Sequence, residues 1–157
     1  MRRTAPLVLI VVVLVIAGCG SADQDKTPVS CLSGARAFTD ALREAPGSVQ
    51  LAGGTLISEC IVRNQSAGDL ANVGSTLVKV TTELNAEARQ DPGGAPTVQL
   101  GYLVGAIAGG AAGTQGIHTE LLRRIEAAAL YSPAGKPPPE PFDHTSEKGY
   151  AAGKDHG

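Results

Sequence analysis

Tryptophan is absent from this 157-residue sequence, and two Phe and three Tyr are its only other aromatics, 3% of the whole. A core keyed by large rings is therefore excluded. A surplus of basic charge is missing too: 13 Lys and Arg stand against 15 Asp and Glu, a formal net charge of −2. That balance excludes a generally basic nucleic-acid binder, and no nucleic acid is expected as a partner. The sequence also lacks Gly-x-Ser-x-Gly, a phosphate loop, His-Glu-x-x-His and Cys-x-x-Cys. No enzyme, cofactor or bound metal is expected from it. What is present is 43% hydrophobic residues, too many for a wholly disordered chain, with 20 Gly and 10 Pro. The core must be built from small aliphatic side chains.

Part of that hydrophobicity belongs to the N-terminus. Arg2 and Arg3 form a short basic start, and Pro6 to Gly18 (PLVLIVVVLVIAG) is an unbroken apolar and small run that ends at Cys19. A spanning helix needs roughly 20 apolar residues, whereas this order of basic start, apolar run and small residues is that of a secretory signal. Ile16-Ala17-Gly18-Cys19 resembles the lipobox of bacterial lipoproteins, with Ile16 where Leu is commoner. The resemblance implies cleavage before Cys19, a diacylglycerol on its sulfur, acyl chains of the palmitate kind and stable anchoring to the outer face of a cell membrane. Export by the general or by the twin-arginine route is left open by Arg2-Arg3. Without Arg2 and Arg3 the mature chain has 11 basic and 15 acidic side chains, a net of −4. Such a surface gains little from anionic lipid, so the anchor has to hold it.

Cysteine usage agrees with export. With Cys19 assigned to lipid, Cys31 and Cys60 remain as a pair in a domain on the oxidising side, where disulfides persist. The alternative is two buried free thiols. Residues 19–29 (with GSADQDKTPV after the Cys) read as a flexible tether. Ser132-Pro133-Ala134-Gly135 stops the last periodic segment, and KPPPEPFDHTSEKGYAAGKDHG has no apolar period, so residues 132–157 read as a Pro-rich disordered tail. The foldable domain is then residues 30–131.

Within it the apolar spacing is helical. Cys31, Ala35, Phe38, Leu42 and Ala45 fall on one helix face that Pro46-Gly47 ends. Thr55 to Arg63 puts Ile57, Cys60 and Ile61 on one side, so the two Cys-bearing helices can be stapled. Ser66 to Asp69 has capping-box spacing ahead of Leu70, Val73, Leu77, Val80 and Leu84, the clearest helix. Pro96-Thr97 can open the next one. There Gly101, Gly105, Gly109 and Gly113 recur at steps of four, which makes a groove where a neighbouring backbone can approach. The pattern is similar to the glycine zippers of some membrane-associated proteins, which implies insertion or oligomerisation. Against spanning, the run is short of a bilayer and bounded by Gln99 and Gln115. A tightly packed bundle helix, or one that breaks into a loop between Gly109 and Gly116, are the plainer readings. A last helix from Ile117 to Tyr131 should bury Ile117, Leu121, Ile125 and Ala128 or Ala129 and expose Glu120, Arg123, Arg124 and Glu126.

The expected fold is all-α: a small up-and-down bundle of four to five helices between a disordered tether and tail. His118 and Glu120 point to different helix faces, so His118 reads as an ordinary first-turn residue. Asp143-His144 and Asp155-His156 read as solvated charge. Two functions lead: a cell-envelope interaction or accessory module, held to the membrane through Cys19 and meeting an envelope protein, or a bundle that binds a small apolar ligand. A cavity lined by Leu103, Ile107, Leu121 and Ile125 would favour the ligand, and a filled core the partner.

Overall fold

The computed structural model describes residues 26–114, 116–132 and 135–157. Ile16, Ala17, Gly18 and Cys19, with the signal and most of the tether, lie outside these residues. Among the described residues the fold is all-α, with no strand and one isolated bridge, Gln50 to Leu56. Five α-helices form the bundle: α1 (Ala35–Ala41), α2 (Ala67–Ala88), α3 (Ala95–Ala112), α4 (Thr119–Ala129) and α5 (Glu140–His156).

The N-terminal third is more broken than its apolar period predicts. Cys31, Phe38 and Leu42 share a fully buried side as expected. The backbone there is a 3-10 turn (Val29–Leu32), α1, and a second 3-10 turn (Leu42–Glu44). Gly34, at φ 82°, makes the bend between the first two, a conformation that favours glycine. Thr55 to Arg63 is not a helix: it holds only the 3-10 turn Ser58–Cys60, yet Ile57, Cys60 and Ile61 are all buried. In so short a segment, packing and the Cys31–Cys60 disulfide, with Cα atoms 5.5 Å apart, fix the backbone instead of helix propensity. A cross-link between residues 29 apart is worth roughly 3.5 kcal/mol in the chain-entropy model.

Helix α2 starts where its cap predicts, with Ser66 Oγ accepting the Asp69 amide at 3.1 Å. Val73, Leu77, Val80 and Leu84 are buried and Leu70 is half-buried. Helix α3 runs through the centre of the molecule. Tyr102 is its one ring, fully buried, and the Tyr102 hydroxyl accepts the Val49 amide at 3.2 Å, tying α3 to the loop after α1.

The largest correction concerns residues 132–157. The Pro-rich segment is followed by α5, a helix of 17 residues, in place of a disordered tail. Its composition permits this locally. Pro141 lies in the first turn, where no amide bond is lost; Glu140 and Asp143 sit at the positive end of the helix dipole and Lys154 and His156 at the negative end. What holds α5 in place is glycine. A Cβ on Gly101 would strike Ser146 O, and one on Gly105 would strike Tyr150 O; from the other side, Cβ atoms on Gly149 and Gly153 would strike Val98 O and Tyr102 O. The two helices therefore lie parallel, in register, with backbone against backbone, as in small-residue helix pairs of membranes. Gly109 is a looser member of the row, 3.4 Å from Lys154 O. Gly113 is not a packing glycine: it is the C-cap of α3, and the nearest atom to its Cβ position is Gly110 O in its own turn. Gly110 serves instead, letting α3 press on Ser58 O and Ile61. Gly101 and Gly105 are thus consumed inside one molecule.

Alanine at Gly105 should overpack this seam and lower the unfolding free energy by about 2 kcal/mol or more, although alanine is the better helix former. Gly113→Ala, at φ −82°, should be neutral or stabilising by up to about 1 kcal/mol. Denaturant unfolding of both variants measures the contrast; equal effects would contradict the packing described.

Candidate functional site

A surface groove and a buried polar cluster have shapes or groups that could serve a function. The groove, of about 500 Å³, lies where α3, the end of α4 and α5 meet. Leu100, Val104, Ala129, Leu130, Phe142 and Tyr150 line it, and Glu126, Lys136 and Asp143 add charge of both signs. Its wall is fixed by Tyr131 packing edge-on against Phe142, with ring centroids 4.8 Å apart. The turn that shapes it, after α4, is held by Asn85, a polar residue that belongs to no motif of the sequence. Asn85 Nδ2 donates to Ala128 O (2.7 Å) and Leu130 O (2.8 Å), and Arg89 donates to Leu130 O as well (3.1 Å). The signal was available: Asn is a poor residue inside a helix, and position 85 lies next to Leu84 on the buried side of α2.

Leu103, Ile107, Leu121 and Ile125 all belong to the packed core cluster. Ile117, expected in that core, is 48% exposed, because α4 begins only at Thr119 and Ile117 stays on the preceding turn. Glu120 and Arg123 are exposed as expected and form a two-pronged pair at 2.9 Å; the Arg123 guanidinium holds the Glu120 carboxyl below its ordinary pKa.

The buried cluster centres on Gln65. Its amide nitrogen donates to Thr27 Oγ1 (3.0 Å) and to Cys60 O (3.1 Å), so its oxygen is the acceptor that faces His118 Nε2 at 3.1 Å. His118 therefore carries a proton on Nε2, which it donates to Gln65 Oε1. Its side chain is completely buried, and Nδ1 has no partner among the described residues. Thus His118 is not an ordinary first-turn residue; it joins the N-terminal segment, the disulfide loop and the start of α4. Among the described residues no three His, Cys, Asp or Glu side chains converge as metal ligands would. Asp143-His144 and Asp155-His156 lie on the exposed side of α5. No helix of the described residues is long and apolar enough to cross a membrane.

Comparison with protein-family models, curated proteins and solved structures finds no match for this chain. The groove and the Gln65 cluster thus stand on their own geometry.

Burial lowers the His118 pKa from its ordinary 6.5, because a second ring proton would be a charge without an acceptor. The sign follows from linkage: the unfolded chain binds a proton on this ring near its ordinary pKa and the folded chain does not, so the contribution is complete above about pH 6.5 and declines as pH falls below it. Urea midpoints should drop between about pH 7.5 and pH 5.5 in the wild type and drop less in His118→Gln. Equal drops would assign the pH dependence to other groups.

Proposed function

We propose that the protein is an exported lipoprotein, anchored by lipid on Cys19 to the outer face of a cell membrane, whose helical domain is an interaction or accessory module of the cell envelope. The order of basic start, apolar run and Ile16-Ala17-Gly18-Cys19 supports the anchor. The Cys31–Cys60 disulfide suits an oxidising compartment. The observation that carries the interaction reading is the apolar groove at the surface. With Leu103, Ile107, Leu121 and Ile125 packed into the core cluster, the apolar recognition surface lies on the outside, between α3, α4 and α5. Envelope binding proceeds there, with Glu126, Lys136 and Asp143 orienting the partner.

The same groove favours a second reading. Its volume of about 500 Å³ lies in the usual range of small-molecule sites, and its walls are mostly apolar. An apolar ligand would lie along Leu100, Val104 and Phe142.

Replacing Cys19 with Ala should abolish acyl labelling and leave the unprocessed precursor; persistent labelling would refute the anchor. For the ligand reading, an environment-sensitive apolar dye should bind saturably. Val104→Trp, which fills the groove, should weaken it about tenfold, on the order of 1.4 kcal/mol. Absence of saturable binding to the wild type would leave the partner reading alone.

A further inference from the structure

Two of the three large exposed apolar side chains among the described residues stand at one end of the domain. Val29 is 83% exposed and Ile117 48%. They flank the point where the N-terminal segment joins the fold, since the single side chain of Gln65 bridges Thr27 and His118. Beside Ile117, the first turns of α2 and α4 leave a shallow depression of about 270 Å³, floored by Leu70, Gly74 and Leu121 and edged by the exposed Ala67 and Ala71. The third exposed apolar residue, Leu130, is at the far end of α4, whose 11 residues span about 16 Å.

Charge at this end is mixed. Arg63 donates to Gly113 O at 3.1 Å, Arg124 and Glu120 edge the depression, and Glu120 is held by Arg123. Attraction to anionic lipid is therefore weak here, and apolar contact decides what this end binds. Geometry decides where it sits: Thr27 is eight residues beyond Cys19, so even a fully extended chain keeps it within about 29 Å of the lipidated sulfur. Apolar side chains held beside a bilayer gain by entering its interface.

We propose that this end of the domain, formed by Val29, Ile117 and the depression beside Ile117, is a membrane-contact surface that lies on the leaflet holding the Cys19 lipid. The inference rests on the lipoprotein reading above. It places the α3–α4–α5 groove on the side turned away from the bilayer, where an envelope partner can reach it.

The absence of tryptophan gives a clean test. The lipidated protein with Val29→Trp, Ile117→Trp or Leu130→Trp is reconstituted into phosphatidylcholine vesicles, with or without brominated acyl chains. Acylation is confirmed by mass and attachment by flotation. The surface predicts blue-shifted emission and quenching by brominated lipid for Trp at 29 and 117, unchanged by high salt, and water-exposed, unquenched emission for Trp at 130. Acylated, floating protein with unquenched Trp at both 29 and 117 overturns the surface and leaves the anchor standing. A blue shift at 117 without quenching, rising with protein density, assigns the patch to a second copy and also overturns it. Protein that carries no lipid and does not float removes both the anchor and the surface.

Discussion

Where Gly101 and Gly105 face the carbonyls of Ser146 and Tyr150, hydrogen is the only substituent that fits, and the rest of the molecule is arranged around that approach. Helix α3 is mostly apolar, and it can be central because three other helices cover most of it. Helix α2 and α4 cover it with aliphatic side chains, and α5 covers it with backbone. Helix α5 has few apolar residues to bury: Phe142 is its one large buried side chain, with Gly149 and Gly153 the other buried positions. Ordinary hydrophobic docking would hold such a helix poorly. Dispersion between closely apposed main chains, with many small contacts per residue, does what large side chains do elsewhere. This is how a chain with five aromatic residues keeps a dense interior.

The groove follows from the same seam. The two backbones touch along the glycine row, so the larger side chains beside the row, Leu100 and Val104 on α3 and Phe142 and Tyr150 on α5, stand apart around a recess toward the end of α4. The opposite end of the molecule is organised by polar and covalent ties, namely the Cys31–Cys60 disulfide and the three hydrogen bonds of Gln65. A packed middle thus separates a tied end, where the N-terminal segment leaves, from a recessed end formed by α4 and α5.

The helices whose apolar period is long were legible in the sequence. Val73 to Leu84 identify α2, and Ser66 marks its start, because a buried face repeated over more than three turns outweighs local accidents. The buried face of Cys31, Phe38 and Leu42 was legible while its backbone was not, since short segments take the conformation their tertiary contacts impose. Helix α5 was hidden by its composition. A polar, Gly-containing, Pro-flanked stretch has the statistics of disorder, and only its partner supplies the reason to fold. Yet a signal was present: Gly149, Gly153 and Gly157 repeat the step of four seen at Gly101, Gly105 and Gly109. Two glycine rows of equal period in one chain ask to be paired. Of the site residues, Asn85 and His118 were readable only as misfits, polar groups on apolar faces, and their partners are 43 to 53 residues away.

Main-chain carbonyls as packing partners have an evolutionary consequence. When one side chain in a core grows, a facing side chain can shrink, and the two positions drift together. Nothing in α5 can shrink to admit a methyl at Gly105, because the atom it would meet is present in every amino acid. The glycines of the seam are therefore bound to keep their identity singly, without compensating exchanges, while the surrounding Leu, Val and Ala positions are free to trade volume. Among descendants of this chain, α5 and the α3 glycines should be retained together or lost together.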